Sequence, residues 1–415
     1  MDKFFPIKTN TSCQLKWTWS TIRLYNGTTS SCHRAGSEKI EDFDAFHNTP
    51  KKLIDRQRML DGQWPIGGCE YCQKIEESGG SSDRMLHHTI PNLVPPELEE
   101  NISAVHVTPR IVEVYFNNIC NMSCLYCWDG FSSKIQQENK KFGRFEQSGV
   151  VIDNFAKKVN DIDALTSKFW NWMESNHSVL RRLHILGGEP LYQEAFDHCL
   201  DFFQTHPCPK LEFNVVSNLM ISSDKFQGHI DKIKQLLIGK KIKRFDLTVS
   251  IDCFGPEQEY VRYGLDLEQW KRNFEYAVSQ RWIKININQT LSVLTIKTIP
   301  DLLSYINHHR KTRPIGQYFS TVVHTHEFLH PKILGAGFFD QDFSKILNQM
   351  PDGSVEREEA RKYMAGLQGE INTHSRDPLQ LHRLSIFLDE IDRRRNLNWQ
   401  ETFPWLKQEI GKNVV

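Results

Sequence analysis

Three cysteines fall within eight residues of the stretch "FNNICNMSCLYCWDG", Phe116–Gly130: Cys120, Cys124 and Cys127, spaced C-x3-C-x2-C. No fourth cysteine and no histidine stands nearby to complete a tetrahedral metal site. Structural zinc wants four ligands, commonly two C-x2-C pairs, so zinc here would have to borrow a distant one. A [4Fe–4S] cluster held by three thiolates keeps one iron open to an outside ligand.

A second set lies upstream. Cys13 and Cys32 bracket Gly27 as C-x13-G-x4-C, and Cys69 and Cys72 form C-x2-C. Four thiolates close a metal site completely, whether it holds zinc or [4Fe–4S], and spacing alone favours zinc. Seven of the ten cysteines come before residue 130. Clustered thiols in a large chain without a secretory signal point to metal rather than disulfides. Cys199 and Cys208 read as buried structural residues. Cys253 reads as a small packing residue. His324, His326 and His330 follow a strand-like run and read as hydrogen-bonding residues rather than ligands.

The elements that must carry these residues follow from patterning. Residues 1–105 are rich in turn residues and short of periodicity, as a small module held by a metal would be. Trp17, Trp19 and Trp64 flank its cysteines and are expected to pack over them. From 106 to 330, six apolar runs alternate with amphipathic segments: "IVEVYF", "LHILGG", "LEFNVVS", "FDLTVSID", "IKININQT" and "YFSTVV". Strand alternating with helix implies a parallel sheet, here an α/β fold of the partial (β/α)6, TIM-like barrel kind. Active sites of such folds lie at the carboxyl ends of the strands. Residues 331–415 read as a helical C-terminal extension, and Arg393–Arg395 as its solvated helix end.

The chain resembles the radical S-adenosylmethionine (SAM) superfamily at four landmarks, each at an expected strand end. The first is the C-x3-C-x2-C loop with Tyr126 before its last cysteine. The second is "GGEP", Gly187, Gly188, Glu189 and Pro190. The third is "VVSNLM" with Asn218. The fourth is "VSIDCFGPEQEYVRYG", which supplies Ser250, Asp252 and Arg262. The resemblance implies that Cys120, Cys124 and Cys127 hold a SAM-binding [4Fe–4S] cluster, with those other residues lining the SAM pocket. Asp252 has a second reading as a cap on the following loop. One-electron cleavage would then give methionine and a 5′-deoxyadenosyl radical that abstracts hydrogen from substrate, and beside such a radical site the resemblance gives Cys253 a second reading, as a hydrogen-atom donor.

The N-terminal cysteines are similar to the SPASM/twitch auxiliary-cluster module, which implies one auxiliary [4Fe–4S] cluster on Cys13, Cys32, Cys69 and Cys72. Here the module precedes the barrel instead of following it, and Ser78 stands where a further cysteine would fall. The subfamily implies a peptide- or protein-modifying maturase of ribosomal peptides and an external electron donor such as flavodoxin or ferredoxin. Alternatives are a dehydrogenase or mutase acting on a sugar, nucleoside or other small polar molecule, and a non-catalytic metal-stabilised binding protein. Charge is balanced at 51 basic and 51 acidic residues, which gives no electrostatic case for nucleic acid or a membrane surface. With no signal-peptide pattern, a cytoplasmic location is expected.

Overall fold

All six runs expected to be strands are strands in the computed structural model, which describes residues 2–77, 82–155, 161–323, 326–350 and 355–412. In chain order the strands are β1 (Trp19–Arg23), β2 (Thr28–Ser30), β3 (Glu38–Lys39), β4 (Ile111–Tyr115), β5 (Ser123–Cys124), β6 (Phe145–Gln147) and β7 (Val150–Ile152). They continue with β8 (Arg182–Leu186), β9 (Cys208–Ser217), β10 (Ile242–Ser250), β11 (Arg262–Tyr263), β12 (Lys284–Leu291) and β13 (Gly316–Val322). The fold is mixed α/β with a large parallel sheet.

The chain divides into two compact units. The first comprises Met1–Asn118, Lys157–Val215 and Asp231–Phe245. Its strands β9, β8, β4 and β1 run parallel, in the registers Ile185↔Val215, Ile111↔Arg182 and Trp19↔Ile111. Antiparallel β2 and then β3 extend the sheet beyond β1. The boundary expected at residue 105 therefore falls inside a unit, because β1 pairs along its whole length with β4. Phe213 on β9 anchors the apolar side, fully buried against Phe196, Phe203 and Phe245.

The second unit comprises Ile119–Ala156, Val216–Ile230 and Asp246–Val415. Here β10, β12 and β13 run parallel, β6 and β7 form a hairpin, and β5 pairs antiparallel with β11. Two of its helices begin at acidic caps. Asp266 accepts the Gln269 N–H at the start of Leu267–Ser279, and Asp377 accepts the Gln380 N–H at the start of Pro378–Arg395. The latter helix stops at Asn396, which takes the left-handed conformation at φ 55°. Residues after 330 are helical as expected, and they share one apolar core with the sheet: Leu291 and Val293 pack in the same cluster as Met364, Phe387 and Phe403. Among the described residues no helix is long and apolar enough to cross a membrane.

Removing the ring of Phe213 in Phe213→Ala leaves a cavity between Phe196, Phe203 and Phe245 in the first unit's core. It should cost about 3–5 kcal/mol, read as a lower urea midpoint at unchanged slope.

Candidate functional site

In the second unit the three-cysteine loop is held by its own backbone and by β11. Cys120 opens the loop: its N–H donates to Ser133 Oγ at 3.1 Å, and that hydroxyl donates back to the Cys120 carbonyl at 3.2 Å. Cys124 lies on β5 directly opposite Arg262 on β11, and the Leu125 N–H donates to the Val261 carbonyl at 2.9 Å. The pairing needs Gly264, at φ 100°, because a Cβ there would stand 3.0 Å from the Asn121 carbonyl oxygen. Asn218 reaches the same loop, its amide donating to Asn121 Oδ1 at 3.1 Å while its own Oδ1 caps the Met220 N–H at 2.8 Å.

The centre of this arrangement is the Asp252 carboxylate, which is fully buried. Oδ2 accepts from the Tyr126 hydroxyl at 2.6 Å and from Arg262 Nε at 2.8 Å. Oδ1 accepts from Arg262 Nη2 at 2.8 Å and from the Thr290 N–H at 2.9 Å. A carboxylate offers about four lone-pair sites, and four donors fill them. Asp252 thus has no acceptor left for a cofactor and does not cap the loop after it. Gln258 Oε1 does that, accepting the Asp252 and Cys253 N–H groups at 3.0 and 2.9 Å. Asp252 is a positioning residue. It fixes Arg262 so that Nη1 lies 4.0 Å from Cys124 Sγ, with the guanidinium 5.5 Å from the Tyr126 ring centre.

Burial opposes the Arg262 charge, and the Asp252 carboxylate more than restores it. Burial raises the Cys124 thiol while Arg262 pulls it back down. Cys127 is pushed up to about 12 by burial, with Cys124 adding to the effect. Without a metal these thiols hold their protons; a bound metal would displace them.

A cavity of about 330 Å³ opens beside the loop, walled by Cys124, Cys127, Trp128, Ile152, Phe387 and Arg395. Its cation comes from a run expected to be solvated. Only Arg393 faces out; the Arg394 and Arg395 side chains are buried. Arg394 pairs with Glu390 at 2.6 Å and donates to Asn139 Oδ1 at 3.2 Å. Arg395 pairs with Glu138 at 2.9 Å, and its Nη1 has no partner among the described residues. Three consecutive arginines read as a solvated helix end, and apart from Glu390 the partners that bury Arg394 and Arg395 are more than 250 positions away.

Cys253 is fully buried within the second unit's apolar cluster, and its thiol is raised well above the usual range, by burial first and Asp252 second. Ser250 closes β10 opposite Asn288. His326 lies against Phe328 and Phe387, while His330 is buried 3.5 Å from Glu370. His324 and Ser78 lie outside the described residues.

"GGEP" belongs to the first unit. Gly187 and Gly188 both have positive φ, at 87° and 57°, and a Cβ on Gly187 would run into the Tyr115 ring. Glu189 accepts the Leu191 N–H at 3.1 Å, capping the short turn Pro190–Tyr192.

The first unit also gathers the other cysteines. Cys13 precedes the helix Gln14–Thr18, Cys32 follows β2, and Cys69 and Cys72 lie at the start of Glu70–Glu77, where a spacing of three puts both on one helix side. Cys13, Cys32 and Cys69 share an apolar cluster with Trp17 and Trp19, and Trp64 packs against it, as expected of aromatic cover. Burial lifts Cys13 to about 12, with Cys32 and Cys69 adding. Cys69 rises to about 11, also through burial, against the pull of Lys16. Arg84 clasps the site, donating to the Ser12 carbonyl at 2.5 Å and to Glu76 at 3.0 Å. Among the described residues no group of three or more His, Cys, Asp or Glu sits at single-ion spacing. The donor chemistry of both sets, all thiol, still fits a thiolate-held group.

No family model matches the chain, and no curated protein sequence matches it. Among solved structures it is similar to Streptococcus suis SuiB bound to precursor peptide SuiA, at 12% identity and a TM-score of 0.37, covering 88% of this chain and 70% of that one. A second structure of Streptococcus suis SuiB gives 11% identity and a TM-score of 0.35 over 72% of this chain and 60% of that one. TYW1 with a lysine-pyruvate adduct bound gives 14% and 0.32 over 60% and 78%.

Asp252→Asn keeps the shape of the side chain and removes its charge, stranding the buried Arg262 guanidinium. The change should cost about 3–5 kcal/mol in urea unfolding of the metal-free chain. A loss below about 1 kcal/mol would mean that another group already neutralises Arg262.

Proposed function

We propose that this chain is a radical SAM enzyme acting on a peptide or protein substrate through a partial (β/α)6 barrel. One observation carries the reading: Cys124 of the C-x3-C-x2-C loop lies opposite Arg262, whose guanidinium is held by Asp252 at the end of β10. Three of the residues that resemble the superfamily pattern are thus joined by hydrogen bonds and one strand ladder, though they are distant in sequence.

Cys120, Cys124 and Cys127 would hold a [4Fe–4S] cluster with one iron left for SAM. When bound, the cluster supplies the electron that splits SAM into methionine and a hydrogen-abstracting 5′-deoxyadenosyl radical. The protein's part is charge, position and exclusion of water. Arg262 offers a fixed cation beside Cys124, suited to the carboxylate of SAM. Tyr126, tied to Asp252, keeps the residue between the last two cysteines from moving. Asn218 holds the start of the loop through Asn121. The cavity beside Cys124 and Cys127 combines aromatic and aliphatic side chains with Arg395, Asp129, Glu138 and Asp153, a mixed lining suited to a peptide side chain. Cys13, Cys32, Cys69 and Cys72 would hold one auxiliary [4Fe–4S] cluster with no open position, fit for carrying an electron.

Anaerobically purified protein given SAM and dithionite should release 5′-deoxyadenosine, measured by liquid chromatography. Cys120→Ala, Cys124→Ala and Cys127→Ala together should reduce that product to the no-enzyme background while the N-terminal metal is retained. Continued cleavage by the triple variant would contradict the assignment.

A further inference from the structure

The amino ends of the first unit's parallel strands carry more positive charge than nearby carboxylates answer. Arg110 stands one residue before β4 and Arg181 one residue before β8, and the register Ile111↔Arg182 brings the two together. Their backbones are tied as well, the Arg181 and Arg182 N–H groups donating to the Arg110 carbonyl at 2.8 and 3.1 Å. Both guanidiniums then turn to one oxygen. The Val179 carbonyl accepts from Arg110 Nη1 at 2.9 Å and from Arg181 Nη1 at 3.1 Å. Among the described residues every side-chain hydrogen bond of this pair goes to a carbonyl, and neither arginine has a carboxylate partner.

Arg110 is the sharper case. It is 7% exposed, and its Nε has no partner among the described residues. Carbonyl capping uses Nη1 and leaves the Nε–Nη2 edge, which matches two oxygens of a phosphate or carboxylate. Burial first, then the like charge of Arg181, pull this guanidinium down to about 10, and Glu99 and Glu97 oppose them without cancelling them. Glu97 accepts from the Thr108 N–H and hydroxyl at 2.9 and 2.6 Å, while Glu99 pairs with Lys3 at 2.8 Å.

Arg110 and Arg181 line a cavity of about 650 Å³ whose wall adds Lys3, Lys210 and Lys243 and one carboxylate, Glu99. The whole lining belongs to the first unit. Lys3 and Glu99 answer each other. Lys243 shares Glu212 with Arg182 and Arg244, at 3.0, 2.9 and 3.0 Å, so that one carboxylate serves three cations. Lys210, near the start of β9, is exposed and has no carboxylate partner among the described residues. A carboxylate would balance one of these charges, whereas a phosphate monoester brings up to two and three acceptor oxygens. The volume suits a small molecule rather than a bare ion.

We propose that this cavity is a binding site for a small phosphate-bearing molecule, its phosphate seated on the Nε–Nη2 edge of Arg110 with Arg181 and Lys210 adding charge. The site is separate from "GGEP", which follows the carboxyl end of β8, whereas Arg181 precedes the amino end of that strand. It depends on neither cysteine set, so its failure would leave the proposed function untouched.

Calorimetric titration of the full chain with inorganic pyrophosphate tests the site, with citrate and a short polyglutamate peptide as competing anions. Pyrophosphate should bind once per chain, saturate, and weaken as salt is raised. Arg110→Gln removes the charge and the fork and should weaken binding about tenfold to a hundredfold. Arg110→Lys keeps the charge without the fork and should recover only part of that loss. Lys210→Gln should weaken binding about threefold. Lys407→Gln, at an exposed lysine of the second unit, should leave it unchanged. Absence of saturable binding, or equal binding by the parent, Arg110→Gln and Lys210→Gln, would overturn the site. Tighter binding of citrate would overturn the phosphate assignment, and tighter binding of polyglutamate the small-molecule one. If Arg110→Gln does not accumulate, Arg181→Gln and Lys210→Gln carry the test with the same criteria.

Discussion

A buried carboxylate with every lone pair taken cannot move without breaking several bonds at once. Asp252 is in that position. It ties Arg262 on β11, Tyr126 in the cysteine loop and the Thr290 backbone on β12 to the end of β10. A loop offering three half-buried thiols would otherwise be free to close on a fourth side chain or collapse around water. Here its middle cysteine is pinned by a strand ladder and faced by a guanidinium whose direction is set from behind. An ion pair of this kind adds little net stability against an apolar replacement, but it specifies one geometry. Reactive sites need that specificity, because misplacing a bound group by an ångström costs large factors in rate.

The two cysteine sets sit in contrasting surroundings. Cys120, Cys124 and Cys127 are half-buried, and the last two border a cavity. Cys13, Cys32 and Cys69 are buried under tryptophans, with cations on the nearest helices. The first environment suits a group that exchanges a ligand with solvent. The second suits a closed centre, since aromatic cover keeps water away from buried thiols.

Much of this was legible in the chain, and the failures share one cause. Six strands and the C-terminal helices follow from local periodicity, which depends only on neighbouring residues. Gly187, Gly264 and the cysteine spacings mark backbone constraints that are also local. What could not be read were charges facing inward. Lys52 and Arg56 are buried while Ile54 on the same helix is exposed, the reverse of the usual rule that apolar residues point inside. Arg394 and Arg395 face inward although the run reads as solvated, because their partners Asn139 and Glu138 come from fold contacts. The parallel pairing of β1 with β4 was hidden because almost ninety residues separate the two strands. Asp252 was recognised as important, yet its role as an anchor depends on Tyr126 and Thr290, which no spacing connects to it.

The most direct measurement is electron paramagnetic resonance of the reduced, iron-reconstituted chain as SAM is added. An iron left open by the loop predicts that SAM changes the shape and position of a signal that vanishes when Cys120, Cys124 and Cys127 are replaced. A spectrum indifferent to SAM at saturating concentration, with all clusters assembled, would contradict an open iron and the account built on it.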